Sequence, residues 1–106
     1  MKSKIFDCIT FFDNNFMFDF RYNILKNVVD FFIVCESRYD HKGNKKKLNF
    51  TQDKNFDQAK IKYFILDKPF PKNTNTWQNQ AIQRDYLLSC TNMAEPDDYI
   101  FFSDPD

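Results

Sequence analysis

The chain has 106 residues, of which 42% are hydrophobic and 19% aromatic, and its 15 basic residues balance its 15 acidic ones. That length suits one domain, and the balanced charge argues against binding to nucleic acid or to an anionic membrane. The single glycine, Gly43, excludes the P-loop and the glycine-rich dinucleotide fingerprint, because each needs several glycines where the backbone approaches phosphate.

The cysteines and the lack of long apolar runs predict the cellular setting. Cys8, Cys35 and Cys90 are widely spaced in apolar surroundings, which is typical of buried free thiols in a reducing compartment. One histidine and no Cys-x-x-Cys leave a structural zinc site without ligands. Because no run approaches the roughly 20 apolar residues of a membrane span, and no signal peptide is evident, we predict a cytoplasmic protein without a membrane segment.

The first half of the chain predicts a strand, a helix and a second strand. Residues 4–12 are β-branched and aromatic and indicate a buried strand, and the following Asp13-Asn14-Asn15 indicates a turn and a helix cap. A helix is predicted over 16–26, and a second strand over 28–35 ends at Glu36. The apolar face predicted for the helix consists of Phe16, Met17, Phe20, Ile24 and Leu25.

The second half continues the alternation. Residues 38–49 are polar and predict a loop, a short helix is predicted within 50–60, and 61–66 form an apolar third strand. After a connection with two prolines, a helix is predicted over 77–93, and a fourth strand runs from Tyr99 toward the end of the chain. The stripe predicted to face the core in the second helix is Ile82, Tyr86, Cys90 and Met93, widened by Trp77, Ala81 and Leu88.

This alternation predicts an α/β fold with a mainly parallel sheet, whose strands all end at one edge. Acidic or aromatic residues follow each strand, and their convergence at that edge is a candidate site for a metal ion and a ribose. An acid after a strand is more commonly a turn residue or a helix cap, and Asp-x-Asp alone occurs widely. The residues concerned are Phe12, Asp13, Glu36, Asp67, Asp104 and Asp106.

Three further side chains have a functional and a structural interpretation. Arg84 lies on the helix before the acidic strand, where it would bind a diphosphate or brace the carboxylates, or would simply be a surface arginine. Trp77 would stack on a base or a sugar, although an aromatic at a helix start is more commonly in the core. His41, beside several lysines, would approach phosphates or lie in a solvated loop.

The spaced motifs resemble glycosyltransferase family 17. The strand at 4–12, the Asp19-Phe20-Arg21-Tyr22-Asn23 segment and the second strand at 28–37 are similar to the opening of that family's domain. The most specific stretch is Trp77-x-Asn79-x-x-x-Gln83-Arg84, which is followed at the family's distance by Ser103-Asp104-Pro105-Asp106.

The resemblance implies a GT-A type, Rossmann-like fold that binds a UDP-sugar, expected to be UDP-N-acetylglucosamine, and transfers the sugar to a glycan acceptor with inversion. Asp104 and Asp106 would hold Mn²⁺ or Mg²⁺, with Asp104 also close to the donor. Phe12 and Glu36 would face the uridine, and Arg84 the phosphates. Residues 1–106 would form the N-terminal, nucleotide-sugar-binding portion of one domain that is incomplete at its C-terminus and inactive alone, with the catalytic base beyond Asp106.

Two other interpretations remain at the level of sequence. One is a non-catalytic or truncated nucleotide-binding module, which is favoured by the chain end and by Gln80, where the family usually has glutamate. A downstream continuation of the reading frame with Glu-Ile-Pro would favour the enzyme instead. The other is an unrelated flavodoxin-like or receiver-like domain, which shares the alternation of strands and helices but does not explain the spacing of Trp77, Asn79, Gln83 and Arg84.

Overall fold

The computed structural model describes residues 3–51 and 56–103, so the predictions for Asp104 and Asp106 lie outside the described residues. Within these ranges the chain forms four strands and two helices. In chain order they are β1 (Ile5–Phe11), α1 (Asn15–Leu25), β2 (Phe31–Ser37), β3 (Ile61–Leu66), α2 (Thr76–Ser89) and β4 (Tyr99–Ser103).

The four strands form one sheet in the order β3-β2-β1-β4, and every neighbouring pair is parallel. Cys8 of β1 lies opposite Ile33 of β2 on one side and Phe102 of β4 on the other. The predicted α/β fold with a mainly parallel sheet is therefore confirmed, and the architecture agrees with a Rossmann-like glycosyltransferase domain.

Both faces of the sheet are covered, which explains why β1 and β2 are nearly continuous apolar runs. On one face, Phe18 and Tyr22 of α1 pack with Ile9 and Val34 of the sheet. Leu87 of α2 belongs to the core cluster on the opposite face. Two cores therefore share a single sheet, with α1 on one side and α2 on the other.

The buried face of α1 differs from the predicted one. Phe18 and Tyr22 are buried, whereas Phe16 is 74% exposed and Phe20 and Ile24 also face outward. Apolar residues occur on nearly all sides of this helix, so periodicity alone could not select the buried face. The choice follows from specific contacts: Phe18 packs edge-on against Phe32, Phe50 and Phe56, and the Tyr22 hydroxyl accepts a hydrogen bond from the Asp57 backbone N–H.

The stripe predicted for α2 is only partly correct. Ile82, Tyr86 and Cys90 pack against the core as expected. Trp77 is 78% exposed, and Ala81, Leu88 and Met93 also face outward, so their assignment to the core was wrong. The face that contacts the sheet and the loop before it instead includes two buried amides, Asn79 and Gln83, together with Leu87.

Helix α2 also ends at Ser89, four residues before the predicted end. The Ser89 and Thr91 hydroxyls donate to the carbonyls of Tyr86 and Leu88, and the Cys90 N–H donates to the carbonyl of Leu87. Hydroxyl side chains compete with the helical pattern for these carbonyls, which favours termination. Its N-terminus is a capping box formed by Asn75 and Gln78.

The remaining boundaries are close to the predicted ones. β1, β3 and the Asn14 helix cap agree with prediction. β2 begins three residues late because Val28 and Val29 still donate hydrogen bonds to Leu25 at the end of α1. The helix predicted within 50–60 is not present in the described part, where 56–60 form turns, and residues 52–55 lie outside the description.

All three cysteines are buried as free thiols, as predicted. Burial raises the pKa of Cys8 and of Cys35 to about 12, and nearby negative charge adds to the effect. In the described ranges, 3–51 and 56–103, neither helix has the length and apolar character that a membrane span requires.

Candidate functional site

The strand order marks one point of the sheet as the place for a ligand. The chain proceeds from β1 to β2 and β3 on one side, and then returns to place β4 on the other side of β1. In open α/β sheets, ligands bind outside the carboxyl ends of the strands at such a reversal. The carboxyl ends of β1 and β4 therefore define the candidate site.

A cleft of about 210 Å³ opens at this point. Its walls come from the ends of β1 and β4 and from the sheet-facing side of α2. It is smaller than the roughly 300 Å³ at which pockets for drug-sized ligands begin, so these walls suit part of a nucleotide sugar rather than all of it. The lining residues are Thr10, Arg84, Leu87, Phe102 and Ser103.

Arg84 is the charged member of this lining, which it shares with Ser103 at the end of β4. It lies one turn before Leu87 on α2, with its side chain largely exposed. Asp104 follows Ser103 directly in sequence, so the described cleft ends where the Asp104-Pro105-Asp106 segment begins. A guanidinium in this position can form two parallel hydrogen bonds to a phosphate.

A larger hollow of about 410 Å³ lies at the opposite edge of the sheet. Phe6, Phe31 and Pro96 contribute to its walls, beside Lys4 and Asp98 at the amino ends of β1 and β4. Asp98 accepts hydrogen bonds from the backbone N–H groups of Lys4 and Glu95, which lower its pKa. The Asp98 carboxylate is thus occupied by hydrogen bonds within the fold. The strand order favours the smaller cleft as the ligand site.

Glu36, at the end of β2, is completely buried. Its carboxylate accepts hydrogen bonds from the Lys46 ammonium at 2.7 Å and the Tyr63 hydroxyl at 2.7 Å. The backbone N–H groups of Asn49 and Phe50 complete the set at 2.7 and 3.1 Å. Direct contact between Glu36 and a nucleotide would have to displace one of these four donors, so the carboxylate acts first as the anchor of the loop from Lys46 to Phe50.

Phe12 lies just beyond β1 at the same edge, and 44% of it is exposed. The Lys46 ammonium lies 5.5 Å from the centre of its ring, within the range of a cation–π contact. The Asn49 side chain donates to the Phe12 carbonyl at 3.1 Å. The loop that Glu36 anchors therefore also fixes the position of an accessible aromatic ring.

Glu36 and Asp67, which were expected at a shared edge as part of a candidate metal and ribose site, each have a cationic partner of their own. Asp67 forms an exposed ion pair with Arg38 at 2.6 Å, whereas Glu36 is paired with Lys46. In the described ranges, no three His, Cys, Asp or Glu side chains are arranged to hold a metal ion. The carboxylates of Asp104 and Asp106 are the oxygen donors that Mg²⁺ and Mn²⁺ prefer, so the chemistry of this pair fits such a cation.

Sequence reasoning missed the role of the amides in the Trp77-x-Asn79-x-x-x-Gln83 motif. Gln83 donates to the Cys35 carbonyl at 3.0 Å and accepts from the His41 ring at 2.7 Å. Asn79 donates to the His41 carbonyl at 2.8 Å. Their spacing of four residues places both amides on one helix face. This spacing is visible in the sequence, but polar residues on a helix are normally expected to face water. They attach α2 to β2 and to the His41 loop, and that loop is therefore not simply solvated.

Sequence reasoning also missed a buried ion pair beside the cleft. Asp7, in the middle of β1, is buried, and both of its oxygens accept hydrogen bonds from Arg21 of α1 at 2.6 Å. These hydrogen bonds raise the pKa of Arg21. The same guanidinium also donates to the Ser103 hydroxyl at 2.8 Å. The signal for this pair was the single acid within an apolar strand, which requires a cationic partner when buried.

The fold and the cleft together define the class of protein: a parallel α/β domain with a candidate ligand site at the carboxyl edge of its sheet. The model of glycosyltransferase family 17 matches residues 1–106, and the chain therefore belongs to that family. No curated protein and no solved structure matched the chain. The resemblance carried by the spaced motifs is thus confirmed, and the protein is a glycosyltransferase.

Proposed function

We propose that the protein transfers N-acetylglucosamine from UDP-N-acetylglucosamine to a hydroxyl of a glycan acceptor, with inversion and with Mn²⁺ or Mg²⁺ as cofactor. Membership of the family supports the transfer of a sugar to an acceptor. The observation that carries the site assignment is the cleft at the reversal of strand order, which is lined by Arg84 and by Ser103, the residue before Asp104 in the sequence.

Asp104 and Asp106 would hold the divalent cation. When bound, the cation supplies Lewis-acid stabilisation of the charge that develops on the departing nucleoside diphosphate. Two carboxylates so close in sequence repel each other unless a cation or a donor lies between them. This pair is therefore the part of the site that should depend most strongly on metal.

Arg84 would bind the diphosphate. Its position on the wall of the cleft gives a positive charge in the same lining as Ser103, after which the two acids follow in sequence. A guanidinium is suited to this task because its planar donors match two phosphate oxygens at once. Arg84 would therefore orient the leaving group and offset part of its charge.

Phe12 and Glu36 would form the uridine end of the site. An exposed ring fixed at the carboxyl edge provides a flat surface on which a base can stack. Glu36 would contribute through the Lys46 to Phe50 loop, because its own oxygens already accept four hydrogen bonds. Inverting transfer also needs a base for the acceptor hydroxyl, and we assign none among the described carboxylates.

The first prediction concerns Asp106. Replacing it with alanine (Asp106→Ala) should weaken Mn²⁺-dependent binding of UDP by about 100-fold or more, since even partners of metal ligands are worth about 10- to 100-fold in metal affinity. The control is Asp97→Ala, which removes an exposed acid at the opposite edge of the sheet and should bind UDP like the wild type. Calorimetric titration of UDP with Mn²⁺ or with a chelator measures both.

Equal binding of UDP in the presence of the chelator, or unchanged binding by Asp106→Ala, would contradict the proposal. Metal-dependent binding of the donor by the full-length protein, without any hydrolysis or transfer, would instead favour the non-catalytic module.

A further inference from the structure

The Arg21 guanidinium joins three elements of the fold through three hydrogen bonds. Nε and Nη2 donate to the two oxygens of Asp7 in β1, each at 2.6 Å, and Nη2 also donates to the Ser103 hydroxyl at the end of β4 at 2.8 Å. Asp7 is buried and the Arg21 side chain is 29% exposed. The α1 helix is thereby connected through one side chain to two neighbouring strands.

The strand register explains how one guanidinium reaches both residues. Asp7 lies opposite Phe101 and Ile9 lies opposite Ser103, so Asp7 and Ser103 are diagonal neighbours on the face that α1 covers. Ser103 is also the residue directly before Asp104. The bond from Arg21 therefore acts on the last described position before the proposed metal-binding segment.

The third hydrogen bond is not needed to satisfy Asp7. Both oxygens of that carboxylate already accept a bond from Arg21, which is the bidentate arrangement expected for a buried arginine–carboxylate pair. Among the described strands β4 pairs with β1 alone, and its aromatic side chains are largely exposed. The end of such an edge strand opens easily unless a side chain holds it.

We propose that Arg21 is a positioning residue that fixes the carboxyl end of β4, the strand that leads in sequence to Asp104 and Asp106, by connecting Ser103 to the buried Asp7. The functional consequence, tighter binding of the cation and UDP, rests on the proposed function. The positioning itself is a property of the fold, and it can be measured without any ligand.

Ser103→Ala is the decisive variant because it removes the bond to β4 while leaving the buried Arg21–Asp7 pair intact. Ser103→Thr keeps the hydroxyl and should behave like the wild type. Ser89→Ala is the matched control, since it makes the same change at an exposed serine of α2 whose hydroxyl bonds only within its own helix. Arg21→Lys keeps a positive charge but lacks the planar guanidinium that donates to Asp7 and Ser103 at once. It should therefore speed hydrogen exchange at the end of β4, as Ser103→Ala does.

Two measurements on the protein separate positioning from function. Without ligand, amide hydrogen exchange in the peptide spanning residues 99–106 should be about tenfold or more faster in Ser103→Ala, with β2 and β3 unchanged, because a hydrogen bond to a charged group is lost locally. With Mn²⁺ and UDP, the same variant should bind Mn²⁺ about tenfold more weakly by electron paramagnetic resonance.

Unchanged exchange at 99–106 in Ser103→Ala, or equally fast exchange in Ser103→Thr, would overturn the positioning role. Faster exchange with unaltered Mn²⁺ affinity would show that the Arg21–Ser103 bond does not affect cation binding at Asp104 and Asp106. The proposed function would still stand. If the wild type itself binds neither Mn²⁺ nor UDP, the proposed function fails, and the exchange result still decides whether Arg21 holds β4.

Discussion

At the scale of single residues, two buried acids of this fold are held by very different sets of donors. Asp7 takes its hydrogen bonds from one arginine, whereas Glu36 takes them from an ammonium, a phenol and two backbone N–H groups. Burial, together with hydrogen bonding to Glu36, raises the pKa of Tyr63, which keeps its hydroxyl protonated as a donor. Each acid is a point at which separate segments of the chain meet, and neither resembles a solvated turn residue.

Glu36→Gln should therefore destabilise the protein strongly, by about 3 kcal/mol in the free energy of unfolding, because it leaves the Lys46 ammonium without its buried counter-charge. A glutamine nitrogen also cannot accept a bond from the donors that face one of the carboxylate oxygens. Asp67→Asn is the control. It breaks the exposed pair with Arg38 and should cost less than about 1 kcal/mol.

Urea unfolding at neutral pH measures both variants. Similar losses for Glu36→Gln and Asp67→Asn would show that the buried carboxylate does not anchor its loop.

At the scale of elements, α2 combines an apolar stripe with two buried amides. Ile82 and Tyr86 pack on the core, while Asn79 and Gln83 bond to the backbone of the His41 loop and of β2. Because the hydrogen bonds of an amide require a particular orientation as well as contact, Asn79 and Gln83 fix the rotation of the helix about its axis. That rotation keeps Arg84 on the wall of the cleft and Trp77 in solvent.

Gln83→Leu should cost about 1–3 kcal/mol in unfolding free energy, because it leaves the Cys35 carbonyl and the His41 ring nitrogen without their partner in a buried setting. Gln80→Leu makes the same substitution three residues away on a half-buried face and should change stability by less than about 0.5 kcal/mol. Thermal unfolding followed by circular dichroism compares them. A loss of stability in Gln80→Leu as large as that in Gln83→Leu would contradict the structural role of the Gln83 hydrogen bonds.

The sequence was sufficient to predict a strand or helix where its residues favour only one type of secondary structure. β1 and β3 are short, mostly apolar runs rich in β-branched and aromatic residues, which suit a strand, and their bounds were nearly correct. The face of α1 could not be predicted, because Phe16, Phe18 and Phe20 are equally apolar and only tertiary packing distinguishes them. Burial of Asn79 and Gln83 was missed for the opposite reason, since polar residues on a helix usually face water.

The same limits apply to the candidate site. Chain order alone predicted that strand ends would meet at one edge and that Arg84 would lie on the helix before β4. It could not show that Glu36 and Asp67 have their own cationic partners, because Arg38 and Lys46 come from a loop whose course depends on the whole fold. Arg21 belonged to a recognised motif, yet its bond to Ser103 spans 82 positions of sequence.

At the scale of the whole molecule, the sheet brings its functional groups to one edge. Phe12 follows β1, Glu36 ends β2, and the cleft with Arg84 lies between β1 and β4, where strand order reverses. The central claim is that this edge binds a UDP-sugar together with a divalent cation at Asp104 and Asp106.

The most direct test is to incubate the full-length protein with a panel of UDP-, GDP- and dTDP-sugars, with Mn²⁺ or with a chelator, and to measure both binding and release of the nucleotide. We expect binding and slow hydrolysis of UDP-N-acetylglucosamine with Mn²⁺, and neither with the chelator. Preference for a nucleotide other than UDP, or equal binding of the donor without metal, would contradict this assignment.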